Sequence, residues 1–418
     1  MPLSATTDEF RRQVQDFFRR NLPDDWQGYG ALPAQERDSF CADGRELMRK
    51  QRYLAPTWPE EYGGGGLGLA EQSVIQEELV RHGLPTIPHP SDRFAFILIG
   101  PTLLHWGTPE QKAHFLPRMI IGEDRWAQGY SEPNAGSDLF NLSTKGVLDG
   151  EEWVVNGQKT WQTDGHYANW IFALVRTEPE ASRGAGISML LLPLDQPGIE
   201  VRTIRSMTGK EEFSEVFFTD ARTASDNIIG PRGAGAKVAL TLLGFERGSA
   251  SGATYAGYRI ELDRLIDLIK QRGLAQDQVI RQRLAWCRRR VEMLKHLGMR
   301  TLAGALSGEP PGPESSILKL YESEYHTAVT ELAMDVLGME GLVLSGDPGI
   351  ATLGPDPLGA PNSPAAWINQ YMTSRAATIY GGSSQIQRNT LGEQVLGLPC
   401  EPRAAADKPG TTQKAVRP

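Results

Sequence analysis

The feature that constrains this chain most is a change of apolar rhythm, made twice. Between Glu123 and Pro231 the apolar residues come in short runs bounded by turn residues: NWIFALVRT, ISMLLLPL, IEVRTI and SEVFFTD. Such runs read as strands, and several of them in about a hundred residues predict a small antiparallel sandwich or barrel. Trp153–Val155, Asn156-Gly157 and Gln158–Trp161 read as a hairpin, since Asn-Gly supplies the positive φ angles of a tight turn. On either side helical spacing holds: Phe10, Val14, Phe17 and Phe18, then Val74, Ile75, Leu79 and Val80, come before the sheet region. After it, Val238–Lys270, Val279–Leu306 and Glu314–Leu337 are long and periodic, which suits a bundle of about four helices. The expected architecture is α+β and multidomain: an N-terminal helical domain (1–122), a central antiparallel β-sandwich or barrel (123–231), a C-terminal four-helix bundle (232–400) and a disordered tail (401–418). A sheet wedged between helical regions is not a doubly wound fold.

Bulk properties narrow the function classes. The 418 residues, 40% of them hydrophobic, can bury a sizeable core. A net charge of −8 argues against a nucleic-acid partner, which requires clustered positive charge. Cys41, Cys287 and Cys400 are too scattered for a disulfide framework, and the seven histidines lack metal-ligand spacing. No apolar run approaches the ~20 residues of a membrane span. The opening MPLSATTDEFRRQVQDFF reads as an amphipathic helix rather than a signal peptide or an Arg/Ser-rich leader, so a bacterial cytoplasmic location is expected. YGGGGLG has the spacing Gly63-x-Gly65-x-x-Gly68, but no strand feeds it, so it reads as a flexible link between helices rather than a dinucleotide fingerprint.

Three stretches carry candidate chemistry. YSEPNAGSDL (130–139) opens the sheet region with the hydroxyls of Ser131 and Ser137 and a stiff Glu132-Pro133 turn. In WVVNGQKTWQTDGHYANW, Trp161 offers a flat surface two residues from the Thr163 hydroxyl, a pairing able to stack on a heterocycle and bond its edge. IYGGSSQIQRN (379–389) looks like a site loop between two helices, yet contains no carboxylate, histidine or thiol.

SEPNAGSD, NGQKTWQTDG and IYGGSSQIQRN, in this order and spacing and together with WPEEYGGGG and ASDNIIG, resemble the acyl-CoA dehydrogenases over essentially the whole chain, about Asp8 to Pro399. The resemblance implies FAD held between sheet and bundle and across a subunit interface. By position, Tyr130 and Ser131 would contact the flavin pyrimidine edge, Trp161 would pack along the ring and Thr163 would bond near N5. Ser383 and Gln385 would touch the cofactor from the C-terminal bundle, Arg388 would brace that loop, and Ser137 would approach the CoA side.

The family's chemistry is α,β-dehydrogenation of an acyl-CoA thioester to a trans-2-enoyl-CoA. A base removes the α-proton and the β-hydrogen leaves as hydride to flavin N5, so a carboxylate in a dry site and donors to the thioester carbonyl are needed. Many members carry that glutamate directly after the loop tyrosine; here the position is Gly381. In LTLLGFERGSASGATYAGY, the Glu246-Arg247 pair sits where the long-chain and isovaleryl branch keeps its base. Glu246 is therefore expected as the base, with Arg247 and Gly381 lining the substrate site. Gly381 and the Pro/Gly-rich 346–364 loop point to a bulky, branched, cyclic or dicarboxylic acyl chain, and electrons are expected to leave to an electron-transferring flavoprotein.

The chain departs from the family at two places. Where an Arg-x-x-Phe-Gly segment reaches the neighbouring subunit's FAD pyrophosphate, it has IKQRGLAQDQVIRQR, with Arg272, Arg281 or Arg283 as substitutes. Where Gln-x-x-Gly-Gly-x-Gly supports the adenosine, it has DVLGMEG (335–341). A homo-oligomer or a heterotetramer with a related subunit is expected. Two alternatives stand beside the dehydrogenase: a non-catalytic or half-site subunit of a heteromer, and a flavin oxidase or monooxygenase on the same fold.

Overall fold

A computed structural model describes residues 5–89, 92–181, 183–248, 251–309, 312–350 and 353–400, without the side chains of 5, 6, 246–248, 251 and 252. The stretch 401–418, expected as a tail, lies outside the described residues.

Five helices come first: α1 (Ala5–Asn21), α2 (Ala34–Lys50), α3 (Leu69–Arg81), α4 (Gly100–Trp106) and α5 (Pro109–Ile121), with a π-helical segment, Phe94–Ile99, leading into α4. Val14 and Phe18 of α1 pack on Val74, Ile75 and Leu79 of α3, the two apolar stripes legible in the sequence. Thr108 and Gln111 form a reciprocal capping box at the start of α5, and Gly122 at φ 81 ends it. The Gly63–Gly68 stretch does link two helical elements, but it is close-packed rather than flexible. A Cβ on Gly64 would lie 2.2 Å from the Trp58 carbonyl oxygen, and one on Gly65 2.7 Å from that of Pro56.

The sheet follows: β1 (Trp126–Gly129), β2 (Lys145–Asp149), β3 (Glu152–Thr163), β4 (Trp170–Arg176), β5 (Ile187–Pro193), β6 (Ile199–Ile204), β7 (Phe213–Ala224) and β8 (Ile228–Ile229). The order is β6-β7-β3-β2-β4-β5-β8, with β1 added beside β4. Most pairs are antiparallel. β1 runs parallel to β4, with Trp126 opposite Trp170, and β2 meets β4 in parallel at Lys145 and Arg176; the long connections between these strands permit the parallel pairing. β4 and β5 are continuous apolar runs because both their faces are covered. One face joins Trp126, Phe172, Leu174, Met189 and Leu191 to Phe94, Leu98, Leu103 and Phe115. The other joins Ile171, Ala173, Leu190 and Leu192 to Val155, Val216 and Phe218.

The expected Asn156-Gly157 hairpin turn is corrected. Both residues lie inside β3, and the chain reverses at Gly150, φ 62, between β2 and β3. Gly157 takes φ 148 in a register shift opposite β7, with its Cα side pressed against Thr144, and Asn156 exchanges two 2.9 Å bonds with Asp220. The positive φ that suggests a turn serves a β-bulge instead.

After the sheet come α6 (Gly235–Gly248), α7 (Ser251–Gln271), α8 (Gln278–Leu306), α9 (Ser315–Leu337), α10 (Pro364–Ser374) and α11 (Ser384–Thr390). Tyr258, Leu262, Leu265, Val291, Leu294, Tyr325, Val329, Leu332 and Trp367 fill the bundle. α6 stands apart from that core: its Val238, Ala239 and Leu242 belong to the cluster shared by the first helices and the sheet. It therefore bridges the three regions, packing on β5, α4, the π segment and α9. Among the described residues no helix is long and apolar enough to cross a membrane, and no His, Cys, Asp or Glu group could hold a metal.

Two glycines separate a filled position from an open one. Gly64→Ala should cost about 1–3 kcal/mol through overpacking. Gly44→Ala, within α2 and with nothing inside 4 Å of its would-be Cβ, should add about 0.5–1 kcal/mol. Urea denaturation of both variants checks the pair.

Candidate active site

Tyr130 and Ser131 leave the end of β1 and meet the end of β3. The Thr160 amide donates to the Ser131 carbonyl at 3.0 Å, and Lys159 Nζ donates to the Tyr130 carbonyl at 3.2 Å. Glu132 and Ala135 then close a tight turn through paired backbone bonds of 2.9 and 3.1 Å. Glu132 is buried and gathers the whole corner. Its Oε1 accepts from Lys159 Nζ at 2.8 Å and from the Thr144 amide at 2.9 Å; its Oε2 accepts from the Ser143 amide and hydroxyl at 2.7 and 2.8 Å. Lys159 is wholly buried. Burial pushes the Glu132 carboxyl up, but the Lys159 ammonium and the Thr144 and Ser143 donors outweigh it and hold it at about 2. Burial lowers the Lys159 ammonium to about 8 against the pull of Glu132, so both partners are charged at neutral pH. Neither residue figures among the sequence candidates, because Glu and Lys in a turn and a strand read as solvent-facing. The signal available was the strand's alternation, which puts Lys159 on the same side as Trp153 and Val155, both buried.

The same strand end carries Trp161. Between Thr160, opposite Glu215, and Gln162, opposite Ser214, β3 holds one extra residue, and Trp161 takes it with φ 69. A left-handed tryptophan costs on the order of 1–3 kcal/mol and persists only where its surroundings impose it. The bulge turns the indole out of the sheet: 60% of it is exposed, with one edge against Phe213 at 5.9 Å. Thr163, half-buried, ends the strand. Ser131, Tyr130, Trp161 and Thr163 thus come together at one corner. An outward indole beside hydroxyl-bearing residues on an anchored backbone is the surface a flat polar heterocycle requires, so these residues fit a flavin. Ser137 lies further along the loop, exposed.

Asp164 follows Thr163 directly, also left-handed at φ 52, its amide bonded to the Glu212 carbonyl at 2.9 Å. Burial, with the Glu212 charge, pushes its carboxyl up to about 6.

The C-terminal loop is built separately. Gly381 and Gly382 both take positive φ, 62 and 90. Lys319 of α9 donates to the Ala377 and Gly382 carbonyls at 2.8 and 2.7 Å, and buried Gln387 donates to the Gly381 carbonyl at 2.9 Å. Ser383 caps α11 by accepting from the Ile386 amide at 3.3 Å; Gln385 is exposed; Arg388 pairs with Glu324 of α9. A Cβ on Gly381 would meet only Lys319 Cε, at 3.9 Å, and one on Gly244 of α6 would meet nothing within 4 Å. Glu246 and Arg247 occupy the last turn of α6, but their side chains lie outside the described residues. No bond joins the Ser383–Gln385 stretch to the Trp161 corner among the described residues. The arginines expected near a pyrophosphate are otherwise engaged: Arg272 with Glu340 at 2.5 Å, Arg283 with Asp335, and Arg281 with the Ala275 carbonyl at 3.2 Å.

Family models for the acyl-CoA dehydrogenase N-terminal, middle and C-terminal domains match residues 4–123, 127–221 and 233–396. The chain belongs to the acyl-CoA dehydrogenase family of FAD-dependent oxidoreductases, and the helical, sheet and helical regions expected from its sequence are those of that family. It is 39% identical over 398 residues to the acyl-CoA dehydrogenase IpdE1 of Mycobacterium tuberculosis, covering 94% of this chain and 98% of that protein. Among solved structures it is similar to the Tcur3481-Tcur3483 steroid ACAD (TM-score 0.78, 27% identity, 96% of this chain and 99% of that one). It is also similar to the ChsE4-ChsE5 complex from Mycobacterium tuberculosis (TM-score 0.75, 28% identity, 96% of this chain and 100% of that one).

Two measurements probe the corner. Lys159→Met strands the Glu132 carboxylate and should cost about 3–5 kcal/mol in denaturant unfolding, part of which Glu132→Gln restores in the double variant. The Asp164 carboxyl keeps its proton to about pH 6 when folded, whereas an ordinary aspartate ionises near 3.8. Stability from this group therefore falls as pH rises from about 4 to about 6, and the loss persists above. Asp164→Asn should raise the melting temperature at pH 7, by an effect on the order of 2 kcal/mol, and leave it near wild type at pH 4.

Proposed function

We propose that this chain is an FAD-dependent acyl-CoA dehydrogenase that converts a bulky, ring-bearing acyl-CoA into its trans-2-enoyl-CoA, with Glu246 as the α-proton base. The observation that carries the reading is the pair of open glycines. At Gly381 the loop offers no side chain and nearly empty space, while α6, which ends at Glu246-Arg247-Gly248, packs on α9 and leaves space at Gly244. A carboxylate delivered from α6 can stand where the loop has none, and the missing side chain widens the room beside the α-carbon.

Tyr130, Ser131, Trp161 and Thr163 hold the flavin on the sheet side, and Ser383 and Gln385 touch it from the bundle. Bound FAD supplies the acceptor for the β-hydrogen. Trp161 would offer the flavin a flat apolar surface, and the Glu132–Lys159 pair keeps the Tyr130 and Ser131 backbone from drifting. Burying the acyl chain between α6, the π segment and α9 excludes water, which raises the basicity of the Glu246 carboxylate toward that of a useful base. Ser137 approaches the CoA, and Arg247 and Gly381 border the thioester.

A bulky acyl group is supported by a solved neighbour that is titled a steroid ACAD. A heteromer is supported by the two-component titles of both neighbours and by Arg272 and Arg283, whose pairing with Glu340 and Asp335 leaves a related subunit to furnish the pyrophosphate contact. Exposed Met339, Leu342, Val343 and Leu344 give that face an apolar surface suited to a subunit contact. Electrons pass to an electron-transferring flavoprotein, and the location is cytoplasmic.

Glu246→Gln should retain bound FAD but lose substrate-dependent bleaching of the flavin band near ~450 nm by at least about a hundredfold in rate. Anaerobic stopped-flow with a cyclic acyl-CoA measures it, and full bleaching by the variant would remove Glu246 from the mechanism.

A further inference from the structure

The bundle core holds a chain of buried polar groups with no part in the flavin corner. His326 Nε2 meets Glu261 Oε1 at 3.1 Å, and both residues are almost fully buried. The His326 ring lies 5.4 Å from that of Tyr258, and the Tyr258 hydroxyl donates to Glu322 Oε1 at 3.1 Å. Glu322 is half-buried, and Tyr258 is its one hydrogen-bond donor among the described residues. Burying glutamates and a histidine inside an apolar bundle is costly, so the arrangement calls for a use.

Its position suggests one. Glu322 stands one turn along α9 from Lys319, on the same face. Lys319 is the residue that grips the Gly382 carbonyl and approaches the Gly381 gap. Burial pushes the Glu322 carboxyl up, while Tyr258, Arg93, His326 and Lys319 pull it down. Those neighbours come from α7, α9 and the residue before the π segment, and α9 and the π segment also pack on α6. Tyr380, which precedes Gly381, lies within electrostatic reach of the Tyr258 hydroxyl. Glu322 thus stands one turn from the lysine that holds the Gly381–Gly382 loop, half-buried, with one oxygen bonded by Tyr258 and the other able to accept. A carboxylate in that state recognises a donor, and the donor an acyl ring can bring is a hydroxyl.

We propose that Glu322, held by Tyr258, is a specificity-determining residue that accepts a hydrogen bond from a hydroxyl group on the acyl moiety. The proposal rests on the acyl-CoA dehydrogenase reading above. A site built to bond a hydroxyl penalises the analogue lacking it far more than an apolar pocket penalises a lost methylene.

The test uses the holoenzyme and two probes, 3-cyclohexylpropanoyl-CoA and 3-(4-hydroxycyclohexyl)propanoyl-CoA, with kcat/KM for flavin reduction measured on each. Wild type should prefer the hydroxylated probe by at least about tenfold. Glu322→Ala should abolish that ratio; Glu322→Gln, which can still accept, should keep part of it; Tyr258→Phe should reduce it. FAD content and melting temperature, measured alongside, identify a folding defect, and the Tyr258→Phe and Glu322→Gln ratios then decide. A ratio unchanged in Glu322→Ala, or a wild-type preference for the unsubstituted probe, overturns the proposal. A wild-type enzyme bleached by neither probe overturns the dehydrogenase reading itself and the proposal with it.

Discussion

The buried contact between Glu132 and Lys159 is the constraint on which the sheet side of the site depends. It ties a turn after β1 to β3, two segments that otherwise share the backbone bond from the Thr160 amide to the Ser131 carbonyl. Five donations converge there: four reach the Glu132 carboxylate, and one runs from Lys159 to the Tyr130 carbonyl. With that corner fixed, the adjacent bulge can hold Trp161 in a conformation it would not choose, and the indole stands out of the sheet. An ion pair in so dry a place adds little net stability over an apolar pair of equal volume. Its value is positional: it sets where two hydroxyls and one ring lie relative to each other.

The helical side of the site depends on a different device, an absence. Gly381 and Gly382 bend the loop through positive φ angles, and Lys319 and Gln387 clamp its carbonyls from α9 and α11. The loop is therefore held rigidly while presenting no side chain. α6 packs mainly with the sheet and first helices rather than with the bundle core, and it also touches α9, which carries Lys319. In the proposed reading, the missing side chain at Gly381 and the helix end opposite would make room for an acyl group larger than a straight chain, and Glu322 would offer it a polar atom.

Much of the fold was legible because burial sets the period. The apolar runs of β4 and β5 are unbroken since both faces are covered, and α1 and α3 show their stripe since one face is. The Asn156-Gly157 reading failed because a positive φ serves turns and bulges alike, and only pairing across to β7 distinguishes them. Tyr130, Ser131, Trp161 and Thr163 were found by motif and do meet at one corner. Glu132, Lys159, Lys319 and Glu322 were not, since charged residues announce solvent unless a partner distant in sequence is known, and each of these partners lies between about 27 and 64 residues away. The gap at Gly381 was visible only as a missing residue type; that the space beside it stays open needed the packing of α9.

The central claim is that the acid at the end of α6 reaches the acyl α-carbon through the opening left at Gly381. A crystal structure of the flavin-loaded enzyme with an unreactive thioether analogue of a cyclic acyl-CoA tests it most directly. The account predicts the Glu246 carboxylate within about 3–4 Å of the analogue's C2, with that carbon between the carboxylate and the flavin ring. A Glu246 side chain directed into solvent, with another acid or none beside C2, would contradict it.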